Sequence, residues 1–137
     1  MEINKQTEAL ILHLDGDKRY TNKAEKYYKK LGLRAIALYI PENKQPQIVG
    51  ELVRKYDPDI LVITGHDALI RNGTNFYDIY NYKNSKYFIK SVIEAKKASR
   101  QGKDLVIFAG ACQSFFEAII DSRCKFCIIT CKNSNRL

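Results

Sequence analysis

A thiol and an imidazole stand at the ends of two short apolar runs, and their placement suits nucleophilic catalysis. Leu105 to Ser114 reads LVIFAGACQS: five residues of strand character break at Gly110 and deliver Cys112 just before a helix-like segment. Backbone N–H groups and a helix dipole at such an elbow favour the thiolate, so Cys112 is the candidate nucleophile. Asp59 to Thr64, DILVIT, breaks in the same way into Gly65-His66-Asp67. An imidazole that titrates near neutral pH takes up the thiol proton and returns it to a leaving group, so His66 is the candidate general base and acid. Attack on a peptide carbonyl forms an oxyanion, for which the backbone N–H groups of Gly65 and Cys112 are the candidate donors. Gly65 and Gly110 also allow a substrate backbone to come close.

The elements that must position these groups alternate along the chain. Ala9 to Leu14 is a short apolar run ended by Asp15-Gly16-Asp17, a first strand and a sharp turn. Ala24, Tyr27, Tyr28 and Leu31 recur at three- and four-residue spacings, which predicts a helix over 21–31 that stops at Gly32. Arg34 to Ile40 is the second strand. Pro46 opens a helix to Tyr56 with Ile48, Val49, Leu52 and Val53 on one face, and Asp57-Pro58 ends it.

Asp59 to Thr64 is the third strand, followed by a long polar and aromatic connection over 68–84 that carries Phe76, Tyr77, Tyr80 and Tyr82. Connections of this length in small domains often form lids or binding walls. Periodicity then predicts a helix over 85–99 with Tyr87, Phe88, Val92 and Ala95 inward, a fourth strand over 105–109, a helix over 113–120 and a fifth strand over 126–130.

Near-continuous apolar strands separated by helices imply a parallel sheet covered on both faces. Right-handed crossovers leave a doubly wound α/β sandwich of three layers, with strand order 2-1-3-4 and then 5. In that order the carboxyl ends of strands 1, 3 and 4 lie side by side. Asp15 and Asp17, His66 and Asp67, and Cys112 then share one edge.

The 137 residues suit one domain with a real core. A hydrophobic fraction of 45% with 28% charged residues is that of a globular protein, and no apolar run reaches the length of a membrane span. The first eight residues lack the shape of a signal peptide, which predicts an intracellular product with reduced thiols. The net charge is +8, but four of those charges, Arg123, Lys125, Lys132 and Arg136, lie in the tail, and most other lysines fall on helix-like segments. No interleaving of basic and aromatic residues marks a nucleic-acid surface. His13, within the first strand, reads as a core histidine.

A strand ending in His, followed 46 residues later by Cys112 after a second strand, resembles the caspase and clostripain group of cysteine peptidases. Here the Gly precedes His66, where that group has it after the His. More closely, ILVITGHDA, NSKYFIKSVIEAKK and LVIFAGACQSFFEA resemble the YabG family of sporulation-specific peptidases over residues 9 to about 122. The resemblance implies a cysteine peptidase of the mother cell of a spore-forming bacterium that processes spore coat and related proteins, without a cofactor or metal. It assigns Cys112 as nucleophile and His66 as its partner. It also implies cleavage near basic residues, for which Asp15, Asp17 and Asp67 are candidates to hold a substrate arginine in a two-bond fork, with Gln113 a further substrate-binding candidate. The plainer reading makes Asp15-Gly16-Asp17 a turn and helix cap, and gives Asp67 the orientation of the His66 ring or a loop cap.

Residues 123–137 depart from this resemblance. Cys124, Cys127 and Cys131 form a CxxC with a third Cys and no His, a weak metal pattern. One set of codons compatible with 124–137, read one base later, encodes a stretch that resembles what the family carries after this helix, which makes a frameshift an expectation for the gene's DNA to decide. Two rival readings remain. A glutaminase-like hydrolase also places Cys at a strand-to-helix elbow, but usually takes its His from after the nucleophile, and none follows Cys112. A flavodoxin- or receiver-like binding domain would use Asp15 and Asp17 for phosphate or Mg²⁺ and would be indifferent to Cys112.

Overall fold

Four apolar runs pair in parallel, because the segments that connect them carry crossover helices. The computed structural model describes residues 9–68, 70, 78–111 and 127–128. In chain order the elements are β1 (Ile11–Asp15), α1 (Lys18–Lys30), β2 (Ala35–Tyr39), α2 (Gln45–Tyr56), β3 (Ile60–Thr64), α3 (Ser85–Ala98), β4 (Val106–Ala109) and β5 (Cys127–Ile128). Short 3₁₀ turns occupy Glu42–Lys44 and Ile79–Asn81. The sheet order is β2-β1-β3-β4-β5, every pair parallel. This is the doubly wound α/β class that the alternation predicts.

Strand alternation sends Leu12, Leu14, Leu61, Ile63, Ile107 and Ala109 into one core with Val49 and Val53 of α2 and Phe88, Val92 and Ala95 of α3. Each large side chain fully buried there contributes roughly 1.5–3 kcal/mol over its exposed state. Helix α1 lies against β1 and β2, with Tyr28 reaching His13 of β1. Register places Asp15 opposite Thr64, and Ile63 opposite Ala109. Three strands therefore end at one level.

The helix boundaries differ from the periodic pattern for local reasons. Helix α1 begins at Lys18, before the expected 21, because Asp17 caps it: its Oδ1 accepts from Arg19 N at 2.8 Å and Tyr20 N at 3.3 Å. Its inward face is narrower than the spacing implies. Thr21 is buried, whereas Tyr27 and Leu31 are 63% and 56% exposed. Gly32, at φ 70°, closes the helix in the left-handed conformation that glycine adopts without penalty. The described fifth strand covers two residues of the expected 126–130. The helix expected over 113–120 lies outside the described residues, as do Cys112, Gln113, Phe76, Tyr77, Cys124 and Cys131.

The connection after β3 is pinched at its base. Ile70 N donates to Asn81 O at 2.7 Å and Lys83 N to Ala68 O at 2.8 Å, while Tyr82 is buried beneath. No helix among the described residues is long and apolar enough to cross a membrane.

Candidate active site

The carboxyl ends of β1, β3 and β4 open into a cleft of about 730 Å³. Asp15, Thr64, Gly65, His66, Asp67, Gly110 and Ala111 form its strand side, and Tyr20, Lys23, Ala24, Tyr27 and Tyr28 of α1 form its opposite wall. Gly110 carries the β4 chain into this edge at φ 120°, a conformation that a side chain opposes, with its N–H on Ile63 O at 3.0 Å. Ala111, the residue before Cys112, is buried in the cleft lining.

His66 stands on this edge with its side chain 61% exposed. Its Nε2 lies 2.6 Å from Asp17 Oδ2, and the Tyr20 ring meets it edge-on with centroids 6.1 Å apart. The main chain of His66 is held on both sides: its N–H donates to Glu42 Oε2 at 2.8 Å, and its carbonyl accepts from Asn84 Nδ2 at 2.7 Å. The Asp17 carboxyl is held below the usual carboxylate range, first by the His66 ring and further by the Tyr20 and Arg19 amides. The carboxylate is thus ionised and faces the imidazole.

Asp15 is part of a buried chain beneath the cleft. Its Oδ1 accepts from Asp17 N at 2.7 Å and its Oδ2 from the Thr64 hydroxyl at 2.6 Å. Thr64 has one proton to give, so His13 Nε2, 2.7 Å from Thr64 Oγ1, is the donor in that contact. Burial pushes the His13 pKa down against the opposing pull of Asp15, which keeps the ring neutral. Nδ1 is then an acceptor for the Tyr28 hydroxyl, 2.8 Å away, whose own pKa burial pushes up. The hydrogen bonds run in one direction, Tyr28 to His13 to Thr64 to Asp15.

Asp67 does not reach the His66 ring. Its Oδ1 accepts from Ala68 N at 2.9 Å and Asn84 N at 2.7 Å, and its Oδ2 from the Ser85 hydroxyl. These bonds tie the start and the end of the connection together at the entry to α3, so of the two plainer roles for Asp67 the structure shows the loop cap, while Asp17 meets the imidazole. All three candidate arginine-binding carboxylates are engaged by protein donors: Asp15 by Thr64 and the Asp17 amide, Asp17 by α1 and His66, Asp67 by α3 and Ser85.

Glu42 is a further site residue that no local motif marks. It follows β2 directly, whose carboxyl end in a 2-1-3 order abuts this same edge, and that adjacency was the available signal. A Cβ on Gly65 would sit 2.6 Å from Glu42 Oε2, and one on Gly16 would also collide with the Glu42 carboxyl group. Both glycines make room for that carboxylate between the β1 and β3 turns. Asn84 and Gln45 are two more residues that no local motif marks. Gln45 Nε2 donates to Ile40 O at 3.1 Å and Thr64 O at 2.9 Å, which ties the ends of β2 and β3 together across β1.

A family model described as YabG peptidase U57 matches residues 2–128. Among curated proteins, the sporulation-specific protease YabG of Bacillus subtilis (strain 168) is 43% identical over 116 residues, which is 85% of this chain and 40% of that relative. The chain therefore spans well under half the length of the curated relative that it matches. No solved structure matches it.

Proposed function

The chain belongs to the YabG peptidase U57 family, and we propose that it is the catalytic core of a sporulation-specific cysteine peptidase in which Cys112 is the nucleophile and His66 its general base and acid. One observation carries the reading. His66 is exposed at the end of β3 with its ring tied to a carboxylate, and the neighbouring strand β4 ends in Gly110-Ala111 inside the same cleft. Cys112 is the next residue in the chain after Ala111.

In the proposed reaction the imidazole takes the Cys112 proton as sulfur attacks the scissile carbonyl carbon. The tetrahedral oxyanion collapses to a thioester as the imidazolium protonates the leaving amine, and a water then hydrolyses the thioester by the same proton path in reverse. The His66 N–H is engaged by Glu42, which supports Gly65 and Cys112 as the backbone donors to the oxyanion. The substrates proposed are spore coat and other sporulation proteins, cut near basic residues, in the mother cell. Gln113 is proposed as a substrate contact, and the engagement of Asp15, Asp17 and Asp67 argues that the acid reading a basic side chain lies elsewhere.

The test uses the full-length polypeptide with coat proteins and basic peptides as substrates. Cleavage by the wild type that is lost in both Cys112→Ala and His66→Ala is the expected result. Unchanged cleavage by either variant overturns the assignment.

A further inference from the structure

Asp17 carries two oxygens with two different tasks. Oδ1 faces the first amides of α1, and Oδ2 faces His66 Nε2. The residue cannot drift, because its own N–H is held by Asp15 Oδ1, whose second oxygen is fixed by the Thr64 hydroxyl and, through it, by buried His13. The ring it meets is also restrained, by Glu42 and Asn84 on the main chain and by the edge of Tyr20. A restrained carboxylate opposite a restrained ring nitrogen fixes both rotamer and tautomer.

From this geometry we infer that Asp17 is the positioning residue of the site: it holds the proton of His66 on Nε2 and so leaves Nδ1 as the atom that takes the Cys112 proton. The inference rests on the reading of Cys112 and His66 as a pair. The carboxylate accepts from Nε2–H, which requires the lone pair to be on Nδ1. When the imidazolium forms, the same carboxylate faces its positive charge across one hydrogen bond. The proton from sulfur stays on Nδ1 until the leaving amine takes it, and Asp17 itself is not protonated at any step.

The double task makes the two functions separable. Asn is as good a helix cap as Asp, so Asp17→Asn keeps Oδ1 on the α1 amides while placing an NH₂ group against Nε2. That group donates, Nε2 becomes the acceptor, and the ring proton moves to Nδ1, the wrong atom for a base. Asp17→Ser retains a capping oxygen but ends short of the ring.

The experiment measures alkylation of Cys112 by iodoacetamide at neutral pH in the full-length protein, read by mass on the peptide that carries Cys112, together with the melting temperature. His66→Ala calibrates the loss of the base. Asp17→Asn and Asp17→Ser are expected to melt close to the wild type yet to alkylate about tenfold or more slowly, approaching His66→Ala. In peptide cleavage they lower kcat with KM unchanged, as expected for a group that acts through another. Wild-type alkylation in either folded Asp17 variant, with His66→Ala slow, overturns the positioning role alone. Wild-type alkylation in His66→Ala removes the pair on which it rests.

Discussion

Glu42 and His66 meet through a side chain and a backbone rather than through two side chains: Glu42 Oε2 accepts the His66 N–H at 2.8 Å, in the space left by two glycines. The carboxylate therefore sets the height of the His66 loop above the sheet. It links the exit of β2 to the exit of β3, two ends separated by β1.

Gly65→Ala and Glu42→Ala should for this reason fail in the same way. An added Cβ meets the flexible end of the Glu42 side chain and not the main chain, so the fold survives while the carboxylate is displaced. Each single variant should lose about tenfold in kcat/KM. The double variant should be no worse than the poorer single one, since both remove one hydrogen bond. Additive losses in the double-mutant cycle would show that the two residues act separately.

Thr64 is the hinge of the buried polar chain. Thr64→Val leaves both His13 Nε2–H and Asp15 Oδ2 without their partner and should cost roughly 1–3 kcal/mol in urea unfolding. Thr64→Ser restores the hydroxyl and should recover most of it. A Thr64→Val variant as stable as the wild type, with the loss confined to Thr64→Ser, would assign the effect to packing of the methyl group.

His13 makes stability fall with acid. Its folded pKa lies below the unfolded value of 6.5, so the unfolded chain binds the additional proton first. The contribution is complete above about pH 6.5 and declines as the pH drops toward the folded pKa. A melting temperature that decreases between pH 7 and 5 in the wild type, with a flatter slope in His13→Gln, is the expected outcome. Parallel slopes would exclude His13 as the source.

Asp67 separates structure from specificity. Asp67→Ala removes the acceptor of the Asn84 and Ala68 amides and of the Ser85 hydroxyl, and should destabilise the protein by roughly 1–3 kcal/mol. The ratio of cleavage rates after basic and neutral residues should stay constant. A selective loss of cleavage at basic residues would instead give Asp67 a direct role in binding substrate.

The sequence by itself determined the sheet. Short near-continuous apolar runs mark the strands and three- and four-residue spacings the helices between them, and parallel pairing follows from apolar runs joined by helices. Strand ends are chemically distinct because apolar residues cease there, which is why His66 and Asp17 were legible as edge residues before any pairing was known. Their contact was not legible. It joins residues 49 apart in the chain, and the choice between Asp17 and Asp67 as partner of the imidazole depends on a carboxylate's direction at a turn, which neighbours in sequence do not encode. Asp67 is adjacent to His66 but faces the Ala68 and Asn84 amides, whereas Asp17 reaches it because β1 and β3 pair in register and a helix cap fixes the rotamer. Glu42 entered the site for the same reason: only the folded sheet brings the end of β2 beside the turn after β3. Local pattern specifies elements, and long-range register decides which side chains of those elements touch.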